Sequence, residues 1–141
     1  MTNTKILVVE DERIVATEIK NRLEILGYPA ATTAFSGKEA ITKAAECQPD
    51  LVLIDIQLRG EMNGIKAARQ IHERFNIPVI YLMDDADDEA LRDDRVIEPF
   101  YYLIKPCEES SLHISIERAL YKHKMGRLWG YFNDHQTSEK S

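Results

Sequence analysis

Four residues that close apolar runs could do chemistry together. Glu10 and Asp11 follow Ile6-Leu7-Val8-Val9, Asp55 follows Leu51-Val52-Leu53-Ile54, and Lys105 follows Phe100-Tyr101-Tyr102-Leu103-Ile104. Carboxylates packed together repel, and each is pushed toward its protonated form unless a cation joins them. An oxygen-only ligand set with room for water suits Mg²⁺, which takes one or two carboxylates together with phosphate oxygens. A transferring phosphoryl group also calls for a fixed cation, and Lys105 is placed to supply it. One carboxylate is then the nucleophile, and Asp55, at the end of the most apolar run, is the first choice.

These residues converge only if the runs that carry them lie side by side. Five short apolar runs alternate with segments of helical period. Residues 12–26 place Val15, Ile19, Leu23 and Leu26 on one face, with Gly27 as the stop. Residues 29–34 read as a second, less apolar strand nearer an edge, and Ser36 with Glu39 is a capping-box signature for a helix over 37–47. After the run at 51–55 comes a helix over 64–75, with Ile65, Ala68, Ile71 and Phe75 in register. Pro78 opens a fourth strand over 78–82, where a missing N–H costs least. A weak helix near 87–94, a fifth strand over 100–104 and a last helix over 108–124 complete the chain. Strands that are apolar throughout and separated by helices imply a parallel sheet covered on both faces. The expectation is an α/β fold: a doubly wound, five-stranded, flavodoxin-like (βα)5 sheet in the order 2-1-3-4-5. Ligands of such sheets bind beyond the carboxyl ends of the strands, where the four polar residues stand.

At 141 residues the chain fits one domain over 1–124, with 125–141 as a tail or the start of a linker. A formal charge of −6 argues against nucleic acid as a direct partner. No apolar run is long enough to cross a membrane, and no leader is evident, so the cytoplasm is the expected location. Cys47 and Cys107 suggest neither a disulfide framework nor a metal site, and Cys47 is expected to be a small buried side chain. His72, His113, His123 and His135 show no ligand spacing.

The acid pair Glu10-Asp11, Asp55 within Leu53-Ile54-Asp55-Ile56, Met62-Asn63-Gly64 and Lys105-Pro106 occur in order on alternating strands and helices. In these features, from Lys5 to about Lys124, the chain resembles the receiver domains of two-component response regulators. The resemblance implies that Asp55 is the phosphoacceptor, Asp11 a direct Mg²⁺ ligand, Glu10 a water-mediated ligand and Gln57 a ligand through its backbone carbonyl. It implies that Lys105 contacts the phosphoryl group, that the peptide before Pro106 is cis, and that Tyr102 is the aromatic whose burial changes on activation. The donor would be a histidine kinase or phosphotransfer protein, and the chain a signalling module of a phosphorelay, not an enzyme.

Two departures from the pattern stand out. Met83 and Asp84 occupy positions where the family usually has a hydroxyl residue and then a small one, so the hydroxyl of the usual switching relay is missing and a fourth acid stands near the site. Residues 84–94 carry seven acids against Arg92 alone, whereas Arg118, Lys122, Lys124 and Arg127 make the last helix basic. Such patches would favour a homodimer through the 87–94 helix, the fifth strand and the last helix. Alternatives are a pseudo-receiver that acts by protein contacts without phosphorylation, and a receiver fragment of a larger sensor protein. Leu128, Trp129, Tyr131 and Phe132 are too apolar for a merely floppy tail. A related Mg²⁺-dependent phosphatase would need a second aspartate two residues after the nucleophile, and that position is Gln57. No DNA-binding helix-turn-helix is expected after Lys124.

Overall fold

The computed structural model describes residues 3–84, 101–106 and 108–140. The expected helix near 87–94, the acids at 85–94 and Cys107 lie outside the described residues.

The elements run β1 (Lys5–Val9), α1 (Arg13–Ile25), β2 (Ala30–Ala34), α2 (Gly37–Cys47), β3 (Leu51–Asp55), α3 (Gly64–Phe75), β4 (Val79–Met83), β5 (Tyr101–Ile104) and α4 (Glu109–Lys140). All neighbouring strands are parallel, in the order β2-β1-β3-β4-β5. The chain therefore has the α/β, flavodoxin-like sheet expected from its alternating runs.

Side chains alternate across the sheet and build two cores. Leu7, Val9, Val52, Ile54, Val79, Tyr81 and Met83 face α2 and α3, where Ala40, Ala44, Ile65, Ala68 and Ile71 meet them. Ile6, Val8, Leu51, Leu53, Ile80, Leu82 and Leu103 face α1 and α4, against Ile19, Leu23, Leu112 and Ile116. Every residue of β3 and β4 is buried, which explains why those runs show no polar alternation.

Local chemistry sets the helix ends. The Ser36 hydroxyl accepts from the Glu39 amide at 3.0 Å, while Glu39 Oε1 accepts from the Phe35 amide at 2.6 Å, one residue before the usual capping-box donor. Asn63 Oδ1 caps α3 by accepting from the Lys66 amide at 2.8 Å. Gln48 and Asn76 end α2 and α3 in the left-handed conformation, at φ 47° and 53°. Cys47 is half-buried at the last turn of α2 and not fully enclosed as expected, because that helix meets the core through Ala40, Ile41 and Ala44.

The last helix departs from the expected span. It continues without interruption past Lys124 to Lys140, 32 residues in all. Its inner face docks through Leu112, Ile116 and Ala119, and Tyr28 ties it to the opposite side of the core. The buried Tyr28 hydroxyl donates to Glu117 Oε1 and lies 3.2 Å from His113 Nδ1. Burial, and then the Glu117 carboxylate, push the phenol above its ordinary pKa.

Candidate functional site

Three backbone anchors fix the site at the carboxyl ends of the strands. The Glu10 amide donates to Ala34 O at 3.0 Å, just past β1. Asp55 is the last residue of β3, and the Ile56 amide after it donates to Leu82 O at 2.9 Å. The Lys105 amide donates to Met83 O at 2.7 Å, beyond β5. Ladder hydrogen bonds, and not loop conformation, thus place all three side chains.

Lys105 Nζ lies 3.2 Å from both Glu10 Oε2 and Asp55 Oδ2. Both acids are almost wholly buried, whereas the lysine side chain keeps a quarter of its surface in solvent. Carboxylate oxygens of Glu10, Asp11 and Asp55 can lie within 4.8 Å of one another, so this cluster could coordinate a divalent metal. Asp55 Oδ1 also accepts from the Gln57 amide at 2.9 Å. The peptide between Lys105 and Pro106 is cis.

The electrostatics show a site short of positive charge. Burial, followed by the neighbouring Asp55, raises the Glu10 carboxyl to about 7 despite Lys105. Burial pulls Lys105 downward, but Asp55 and Glu10 outweigh it and hold its pKa above the ordinary value. A second cation would relieve this excess of negative charge, and hard oxygen donors select Mg²⁺-like ions. The donor set therefore fits such an ion.

The site opens to solvent through a cleft of about 470 Å³ lined by Asp11, Glu12, Asp55, Gln57, Leu58, Arg59, Asp84 and Lys105. Arg59 was not among the residues singled out in the sequence. Its amide donates to Asp11 Oδ2 at 3.1 Å, and its Nε lies 3.6 Å from the same oxygen. The only sequence signal was a lone arginine in the loop directly after an acid-bearing strand. Asp84 is exposed on the cleft wall, whereas Met83 is buried in the core facing α2 and α3. Tyr102 is exposed on the edge strand β5.

The profile of the response regulator receiver domain matches residues 6–117. This chain belongs to that family. It is 30% identical over 125 residues to the phyllosphere-induced regulator PhyR of Methylorubrum extorquens, covering 88% of this chain and 46% of that protein. It is 38% identical over 104 residues to the transcriptional regulatory protein ResD of Bacillus subtilis, covering 69% of this chain and 42% of that protein. This receiver spans about half the length of the curated relatives it matches. Among solved structures, the signal receiver domain of a modulated diguanylate cyclase from Desulfovibrio desulfuricans G20 aligns with a TM-score of 0.82 at 34% identity, covering 89% of this chain and 99% of that one. The receiver domain of Erythrobacter litoralis PhyR aligns with a TM-score of 0.74 at 34% identity, covering 86% and 92%. Receiver domains are phosphoacceptor signalling modules that partner histidine kinases, not enzymes in the ordinary sense. Among the described residues, no helix is long and apolar enough to cross a membrane.

Proposed function

We propose that this receiver accepts a phosphoryl group on Asp55 from a histidine kinase or phosphotransfer protein, with Mg²⁺ as cofactor. The observation that carries the reading is a buried Asp55 carboxylate paired with Lys105 at 3.2 Å on the wall of an open cleft. An Asp55 oxygen forms the new bond to phosphorus while the phosphorus–nitrogen bond to the donor imidazole breaks. The electron pair of that bond stays on the imidazole nitrogen.

Each neighbour has a task. Lys105 meets the charge on the phosphoryl oxygens from a position already fixed by the Met83 carbonyl. Asp11, Asp55 and the Gln57 carbonyl would hold the ion directly, and Glu10 would hold it through water. When bound, the ion neutralises the transferring phosphoryl group and the acids around it. The Gln57 amide keeps Asp55 oriented throughout.

Intact mass after incubation with Mg²⁺ and acetyl phosphate tests this reading. A gain of one phosphoryl group in the parent and none in Asp55→Asn is the expected result. The pseudo-receiver reading is favoured by Met83 and Asp84, which put no hydroxyl and an extra acid beside the site. A parent chain that gains no mass supports that second reading. A charge-driven homodimer remains part of the first, through acids at 84–94 and the basic end of α4.

A further inference from the structure

Helix α4 carries two apolar faces, and the fold uses only one. Leu112, Ile116 and Ala119 are buried against the sheet. Ile114, Tyr121, Met125 and Leu128 are exposed, Tyr121 to 67%. At 3.6 residues per turn, a two-residue offset turns this second stripe about 200° from the first. The stripe therefore runs along the helix's outer side, opposite the domain.

The spacing of that stripe is a heptad. Ile114, Tyr121 and Leu128 recur every seventh residue, and Arg118 and Met125 fall between them, four residues after Ile114 and Tyr121. This is the spacing of a coiled-coil seam over two heptads. A single basic residue in such a seam fixes register, because its stem lies along the seam while its charge reaches water. Glu117, whose Oε1 already accepts from Tyr28 within the domain, and Lys122 flank the stripe on opposite sides, five residues apart. In a parallel pair of identical helices, those flanking positions of the two copies meet with opposite charge.

The distal part of α4 also runs beyond the domain core. Its packing residues in the domain core end at Leu120, yet the helix continues to Lys140. Gly126 and Gly130 each weaken an isolated helix by about 1 kcal/mol. A Cβ on Gly126 would meet nothing within 4 Å, so that side of the helix lies open.

We propose that the outer stripe of α4 docks a second copy of this chain as a parallel, two-stranded coiled coil. The exposed Ile114, Tyr121, Met125 and Leu128 form the seam, and the two receiver sheets lie on opposite sides of the helix pair. This surface differs from the charge-driven face built on acids 84–94, and it does not depend on phosphorylation.

Sedimentation of the full chain tests the proposal. A dimer that persists in high salt is expected, with the dissociation constant raised at least about 100-fold in Leu128→Glu, where a charge would enter the seam. Leu128 lies beyond the core contacts, so the backbone amide spectrum of β1–β5 should match the parent and show that the domain stays folded. Leu128→Cys, in a Cys47→Ser, Cys107→Ser background, should form an interchain disulfide, because equivalent seam positions face each other only in a parallel pair. A monomeric parent, a dimer unaffected by Leu128→Glu, a dimer dissolved by salt, a trimer, or no crosslink would overturn the proposal.

Discussion

The backbone carbonyl of Asp55 lies only 2.0 Å from where a Cβ on Gly64 would sit. The first turn of α3 thus presses directly on the end of the strand that carries the candidate phosphoacceptor, and only glycine permits the approach. Gly64→Ala must displace either the helix or Asp55. Denaturant titration should show a loss of about 1–3 kcal/mol, the usual cost of overpacking. Phosphoryl transfer from acetyl phosphate should fall with it. Gly126→Ala, in open space within a helix, should instead leave transfer unchanged and gain up to about 1 kcal/mol.

Glu10 makes stability pH-dependent. Its folded carboxyl titrates near 7 against an ordinary 4.5, so between these values the folded state binds more protons than the unfolded one. Stability must therefore fall as pH rises from about 4.5 to about 7, by up to about 3 kcal/mol without metal. Glu10→Gln should flatten that slope in denaturant titrations run across this range. Saturating Mg²⁺ should flatten it too, because the ion favours the charged carboxylate, and Mg²⁺ should bind more tightly at pH 8 than at pH 6. A slope unchanged by Glu10→Gln would remove Glu10 as its source.

Arg59 pairs with Asp11, the carboxylate proposed to hold the metal directly, and is expected to compete with the ion for it. The guanidinium sits 3.6 Å from Asp11 Oδ2 and 3.9 Å from Glu12 Oε1, but is mostly in water. Exposed pairs of this kind contribute about 0.2–1 kcal/mol. Arg59→Ala should accordingly tighten Mg²⁺ binding by a small factor, at most about five-fold, read from amide shifts during a metal titration. The Arg59 amide still holds Asp11 in the variant, so the carboxylate keeps its place. Weaker Mg²⁺ binding would mean that Arg59 organises the site instead of competing for it.

The strands and the acids at their ends were legible because burial on both faces leaves nothing but apolar residues until the chain leaves the sheet. The spans of α2 and β3 follow directly from Ser36 and the closing Asp55, and that of α3 from the period of Ile65, Ala68, Ile71 and Phe75. Arg59 was not legible, since its pairing depends on how the loop after β3 folds back, which no periodicity encodes. The length of α4 was missed for a different reason. Core-facing periodicity ends near Leu120, and the second stripe on the opposite face disguises the pattern that continues. Cys47 was expected inside as a small apolar side chain on a helix, but it sits at the rim of the buried face.

Met83 and Asp84 set the last expectation, which concerns the switch. Met83 is buried among the apolar residues facing α2 and α3, and its thioether is at most a weak acceptor, so it offers no hydroxyl to a phosphoryl oxygen. A missing neutral hydrogen bond is worth about 0.5–1.5 kcal/mol, and coupling between Asp55 and the exposed Tyr102 should be weaker by that order. Asp84 lines the same cleft as Asp55 and adds negative charge on the path of an incoming anion. Asp84→Ala alone should therefore speed labelling by acetyl phosphate without altering Tyr102. Adding Met83→Thr places a hydroxyl at the end of β4 and should enlarge the change in Tyr102 environment on phosphorylation. Because that substitution also leaves a gap in the core, the double variant should be less stable by about 1–3 kcal/mol, which denaturant titration separates from the switching effect. Labelling rate by intact mass and Tyr102 response by aromatic NMR are the two readouts. If both match the parent, the two residues are neutral to switching, and the relay runs through other groups.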